Sequence, residues 1–321
     1  MDTINNLGIS TIYFSKNIIR NTISWNELLN NLKNLEVNCL ELNADIPISW
    51  MKDISRSVNN ALVKILSLHN FCPSVENIPK GKFGFNVYSL TSEDENERNL
   101  AVEYTLRTIR YASELNAEVV VLHLGEIKTE PSSEEFYKFV LNFGINSKLY
   151  FHYKNSLIKT RQINKQKYFD LLYLSLDKII KFAEDNNVKL GIETRFYPNE
   201  IPNFFEVDEI INHYKSKILF YWHDFGHAEV QTRLGFTETH TKYLEKYKDK
   251  LIGYHIHNLI GYKDHFSPIN GEMKFEELLT YKKDKIYILE VHSKENFENL
   301  KNGIRFIKSI LKEGKIYERI S

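Results

Sequence analysis

In the stretch Tyr221-Trp222-His223-Asp224-Phe225-Gly226-His227-Ala228, an apolar run stops on an acid, a glycine and a histidine. Asp224 and His227 are three residues apart across that glycine, which permits a tight turn and lets both side chains face one pocket at a strand end. A carboxylate and an imidazole held together suit a borderline divalent cation such as zinc or manganese. Taken alone, the pair reads more simply as a turn Asp beside a helix-capping His. The same event recurs, however. Apolar runs end on His69, His123, Glu193, Asp224, His257 and Glu290, with His227 and His265 just beyond. These are oxygen and nitrogen donors without sulfur, a set for Mn, Zn, Co or Mg. Converging carboxylates repel one another, and a bound cation is the simplest way for them to stay ionised together. A lone His69 or His123 is more often a turn or core residue, and Glu193 or Glu290 alone could pair with Arg195 or a lysine. Six coincidences at six strand ends point instead to one site. By strand alternation His255 shares the face of His257, whereas His223 points away from Asp224.

Regular alternation must position these groups. Strand patterns cover about 7–14, 37–43, 63–68, 118–122, 188–192, 218–222, 251–256 and 286–289. Between them lie helix signals. Ser24 and Glu27 form a capping box before Leu28, Leu29, Leu32 and Leu35, and Ser92 with Glu95 forms another. Further helices are expected near 50–62, 133–143, 168–186, 207–214, 239–247 and 296–311. Strands alternating with helices imply a parallel sheet, and eight repeats imply closure into a single (β/α)8 barrel occupying residues 1–321. An open doubly wound sheet would call for a glycine-rich phosphate loop after the first strand, and residues 10–17 hold no glycine. Residues 126–166 interrupt the rhythm as an extended insertion after the fourth strand. Such a segment is expected to serve as a lid over substrate, or equally as an oligomer contact in a homo-oligomer.

Composition narrows the function further. The 42 basic residues balance 42 acidic ones, so no overall field draws the chain to nucleic acid or an anionic membrane. Cys39 and Cys72 sit in or beside apolar runs and read as small core hydrophobes of a reducing compartment. With no signal-peptide pattern at the start and no apolar segment near 18 residues, a cytoplasmic, non-membrane protein is expected.

The endings Leu-His-Asn (68–70), Leu-His-Leu-Gly (122–125), Ile-Glu-Thr-Arg (192–195), His-Asp-Phe-Gly-His (223–227), His-Ile-His-Asn (255–258) and Leu-Glu-Val (289–291) resemble the xylose isomerase-like TIM barrel superfamily. That group joins sugar isomerases and epimerases with the endonuclease IV proteins, and the similarity runs from about residue 7 to 311 outside the insertion. The resemblance implies a divalent metal held by Glu193, Asp224, His257 and Glu290. It also implies that Glu193 and Glu290 remove and return a proton of a small sugar or polyhydroxy carbonyl substrate through a metal-stabilised enediolate. His227 would contact substrate, and Lys263 stands where an Arg is common. Arg195, His69 and His123 are further candidate substrate contacts. In the endonuclease IV pattern, His69 and His123 would hold a second metal, and His227 with His265 a third. There Lys263 stands in place of an Asp, with Asp264 displaced by one, which argues against a normal third site. The loops after the first two strands also lack an Arg and aromatic pair for wedging a duplex, which argues against nucleic acid as partner. The expected activity is therefore metal-dependent isomerisation or epimerisation. The alternative is a hydrolase, phosphodiesterase or amide-cleaving, that uses two or three metals.

Overall fold

The computed structural model describes residues 5–313 apart from 77, 79–81, 83, 276 and 281–283. Its strands are β1 (Leu7–Ser10), β2 (Cys39–Leu42), β3 (Lys64–His69), β4 (Val119–Leu122), β5 (Lys189–Glu193), β6 (Leu219–Asp224), β7 (Leu251–Ile256), β8 (Asn258–Ile260), β9 (Lys263–Phe266) and β10 (Ile286–Leu289). Eight of them form a closed parallel barrel in the order β1-β10-β7-β6-β5-β4-β3-β2, sealed where Ile9 pairs with Leu289. The expected (β/α)8 barrel is therefore the fold. Strands β8 and β9 form a separate antiparallel hairpin above β7 that the sequence reading did not include.

The helices are α1 (Ser15–Ile19), α2 (Trp25–Asn34), α3 (Met51–Asn59), α4 (Glu95–Glu114), α5 (Ser133–Phe143), α6 (Lys148–Asp185), α7 (Glu206–Tyr214), α8 (Phe225–Arg233), α9 (Thr241–Tyr247), α10 (Glu277–Thr280) and α11 (Phe297–Glu313). Helix α2 opens on the expected capping box: Ser24 Oγ accepts the Glu27 N–H, and the Glu27 carboxylate accepts the Ser24 N–H at 2.7 Å. Its buried face is Trp25, Leu28 and Leu32. Helix α4 departs from expectation because Asp94 is the N-cap, accepting from the N–H groups of Asn96 and Glu97, while Ser92 donates to the Glu97 carboxylate at 2.8 Å. The first strand ends at Ser10, and residues Thr11–Phe14 turn as a 3-10 helix.

Beneath the mouth, the barrel is packed solid. Trp222 is fully buried inside it, ringed by Cys39, Leu66, Val119, Val121, Ile252, Ile286 and Ile288. Gly253 makes room for the indole, since a Cβ there would lie 2.4 Å from Trp222 Cζ3. Cys39 and Cys72 are buried free thiols, as expected of small core hydrophobes.

The inserted segment keeps its expected helix, α5, but its far boundary moves. Helix α6 starts at Lys148 and runs unbroken for 38 residues, where the sequence reading began a helix near 168. No Gly or Pro occurs from 145 to 190, so nothing stops helix propagation, and Ser147 supplies the N-cap. The segment is fastened to the barrel loops. Arg161 forms a bidentate pair with Glu206 (2.6 and 2.7 Å), Tyr137 Oη donates to the Tyr262 carbonyl, Tyr150 Oη to that of Leu234, and Lys154 to that of Gly235.

Candidate metal centre

Each candidate donor sits where its strand leaves the barrel at the carboxyl end. Glu193 closes β5, Asp224 closes β6, His257 follows β7, Glu290 follows β10, His69 closes β3, and His123 follows β4. Asp224 does a second job as the N-cap of α8, with Oδ1 accepting the His227 N–H at 2.7 Å. The tight turn expected at Gly226 is therefore absent; strand passes directly into helix at Phe225. Gly226 is needed for another reason. The His257 ring lies against its Cα, and an added Cβ would stand 2.0 Å from Cε1 and 2.4 Å from Nδ1. Gly226→Ala is accordingly expected to cost about 1–3 kcal/mol by overpacking and to weaken divalent-metal binding at least about tenfold. Urea denaturation and chelator competition read the two effects separately.

Three donor groups, each gathered within 4.8 Å, arise from these positions. The first joins Glu193, Asp224, Glu290 and His255; the second His69, His123 and Glu193; the third His227, His257 and His265. Glu193 belongs to two of them. The structure thus draws the three expected carboxylates together, with His255 as the nearest imidazole. His257 approaches from Asp224, its Nε2 lying 3.0 and 3.1 Å from the two carboxylate oxygens. The His265 N–H donates to His257 Nδ1 at 2.9 Å and the two rings stack at 4.1 Å, so the His257 ring is pinned. As expected, His223 points elsewhere, with Nδ1 2.7 Å from Tyr221 Oη.

The charges are mutually supporting. Burial pushes the Glu193 carboxyl up, but the Arg195 guanidinium and His123 outweigh it and hold it well below the usual range. Burial likewise opposes ionisation of Asp224 and Glu290, yet His227 and His257 lower the first, and His255 and His265 lower the second well below its usual value. His265 is pushed the other way, to about 10, because Asp264 and Glu290 overcome its desolvation. Buried carboxylates kept ionised, oxygen and nitrogen donors only, and a glycine cradle for an imidazole together fit a divalent cation.

A cavity of about 540 Å³ opens above this centre. His69, His123, Glu193, His227, His265 and Glu290 line its polar part, and Phe71, Phe85, Tyr88, Tyr137, Phe196 and Tyr197 its walls. Arg195 also lines it, but is only 7% exposed and spends its guanidinium on Glu193 and on Glu200 Oε1 (2.7 and 3.0 Å). Lys263, another expected substrate contact, lies on the β8–β9 hairpin. It is exposed, while its neighbours Asp264 and His265 line the cavity. Asp264 Oδ2 lies 3.6 Å from His227 Nε2, and Oδ1 3.0 Å from His265 Nδ1. A carboxylate thus reaches the third donor group from the displaced position.

Some residues of the site were not singled out in the sequence. His292 lines the cavity and stacks on His265 at 3.8 Å; its place two residues after Glu290 was the available signal. Lys82 and Glu126 also reach the cavity, from loops without periodicity. Glu41, fully buried in the apolar β2, was signalled only by an acid inside a strand.

An eight-stranded parallel barrel carries, at its carboxyl face, buried carboxylates and imidazoles that suit a divalent cation. Residues 29–310 match the xylose isomerase-like TIM barrel family, and the chain belongs to it. A relative, the uncharacterized protein MJ1311 of Methanocaldococcus jannaschii, is 27% identical over 240 residues, covering 71% of this chain and 67% of that protein. Among solved structures, a D-tagatose 3-epimerase-like protein superposes with a TM-score of 0.66 at 20% identity, covering 96% of this chain and 99% of that one. A putative xylose isomerase from Rhodospirillum rubrum reaches 0.69 at 12% identity (95% and 98%), and an L-ribulose 3-epimerase 0.62 at 14% (95% and 94%). These likenesses establish the fold. Among the described residues, no helix is long and apolar enough to cross a membrane.

Proposed function

We propose that the chain is a divalent-metal-dependent isomerase or epimerase of a small polyhydroxy carbonyl compound. The observation that carries this reading is the convergence of Glu193, Asp224 and Glu290, all buried, beneath a cavity of sugar-accommodating size. Glu193, Asp224, Glu290 and His257 would hold the cation, which supplies Lewis acidity toward a carbonyl and its neighbouring hydroxyl. The two glutamates stand on strands three places apart round the barrel, so they can face a bound carbon from two sides. One carboxylate takes the proton alpha to the carbonyl and the other returns it. Glu290 is the better proton acceptor of the two, since Arg195 and His123 already occupy Glu193 Oε2. His227, backed by Asp264, and His265 are placed to bind substrate hydroxyls. The aromatic walls exclude water from the reacting carbon. Small-molecule sugars, rather than nucleic acid, are the partners this arrangement suits.

The test incubates metal-loaded protein with ketopentoses and ketohexoses in D2O and reads deuterium at carbon by NMR. Metal-dependent incorporation is expected with at least one sugar, and none across the panel counts against the assignment. The three donor groups, two of which share Glu193, favour a second reading, a hydrolase with more than one metal. Elemental analysis decides between them: one equivalent per chain accords with isomerisation, two or three with hydrolysis.

A further inference from the structure

We propose that His255, anchored from below by Glu41, is a positioning residue that holds the Glu193 and Glu290 carboxylates in ligating geometry; the proposal rests on the metal-centre reading above. Both residues are fully buried inside the barrel. His255 Nε2 lies 3.0 and 3.1 Å from the two Glu41 oxygens, and Ser67 Oγ donates to Glu41 Oε2 at 2.8 Å, so the anchor is itself fixed. On its other edge, His255 Nδ1 lies 2.5 Å from Glu193 Oε1, 3.2 Å from Glu290 Oε2 and 3.7 Å from Asp224 Oδ2. One imidazole therefore faces acids from β2, β5 and β6 and from the residue that follows β10. Its ring cannot rotate without losing a carboxylate at one edge or the other. Trp222 closes the space beside it, with ring centroids 5.1 Å apart.

These contacts give the ring an orienting role toward the carboxylates. With Nε2 held by Glu41 and Nδ1 at hydrogen-bonding distance from Glu193, the ring is fixed in one orientation. His255 thereby orients one oxygen of Glu193 while the other faces His123 and Arg195. Partners of this outer kind set ligand orientation, and their loss typically weakens metal binding about 10–100-fold.

The experiment compares Mn²⁺ affinity, by competition with a chromogenic chelator at fixed pH, across wild type, His255→Asn, His255→Gln and Glu41→Gln, alongside thermal melting of the metal-free proteins. The Asn amide nitrogen stands near the Nδ1 position and keeps the bond to Glu193; the Gln amide stands near Nε2 and keeps only Glu41. His255→Asn, which keeps Glu193 but loses Glu41, is expected to bind about tenfold more weakly than wild type, as is Glu41→Gln, and His255→Gln, which loses Glu193, about 100-fold more weakly. Equal affinities for the Asn and Gln variants, or a Glu41→Gln protein that binds as wild type does, would overturn the positioning role. If both His255 variants fail to melt cooperatively, the Glu41→Gln affinity alone decides. A wild type that binds no divalent cation refutes the metal centre itself, an outcome distinct from failure of the positioning role.

Discussion

Glu290→Gln is expected to lower turnover by about 10³-fold or more while the barrel still melts cooperatively. The glutamine keeps the shape of the side chain and can still bond His255 and His265, which face Glu290 Oε2 at 3.2 and 3.6 Å. What it loses is a negative charge for the cation and a lone pair basic enough to take a proton. Removing one of three crowded carboxylates also relieves repulsion with Glu193, so the metal-free protein should not fall apart. The measurement pairs deuterium exchange on the active sugar with a metal titration. A variant that binds metal normally and turns over normally would remove Glu290 from proton transfer altogether. One that binds normally but is inactive would separate acid–base work from ligation.

Arg161→Ala should give the largest loss of stability, about 3 kcal/mol. Its partner Glu206 is 1% exposed, and the guanidinium meets both carboxylate oxygens as well as the Glu200 carbonyl. Truncation leaves a buried carboxylate with the Asn203 N–H at 2.9 Å and Lys165 at 3.8 Å as remaining support. That residual support places the cost at the lower end of the range for broken buried pairs. The paired change Arg161→Met with Glu206→Leu should recover most of the loss, because an apolar pair leaves no orphaned charge. Urea denaturation checks both. A loss under about 1 kcal/mol for the single variant would mean that water reaches Glu206.

The barrel was legible in the sequence because each strand is a short apolar run that ends on a polar residue, and those ends are also the site. The same signal marked His69, His123, Glu193, Asp224, His257 and Glu290 as strand ends, and the family resemblance singled out four of them as ligands. His255 was placed on the correct face by alternation, but its partner Glu41 lies 214 positions away, and nothing local links the two. Gly226 was read through its backbone freedom, whereas its role is the space it leaves for a ring contributed by another strand. The β8–β9 hairpin escaped because its strands are only three and four residues long. The early start of α6 is marked in the sequence only by the absence of Gly and Pro from 145 to 190.

The indole of Trp222 makes the barrel blind at its lower end. Whatever enters must leave by the doorway through which it came, past the same aromatic jambs. Under the proposed isomerisation, reactant and product share one formula and nearly one shape, so each is bound to obstruct the other's exit. Progress curves should then bend early, well before equilibrium, with mutual competitive inhibition between the two sugars.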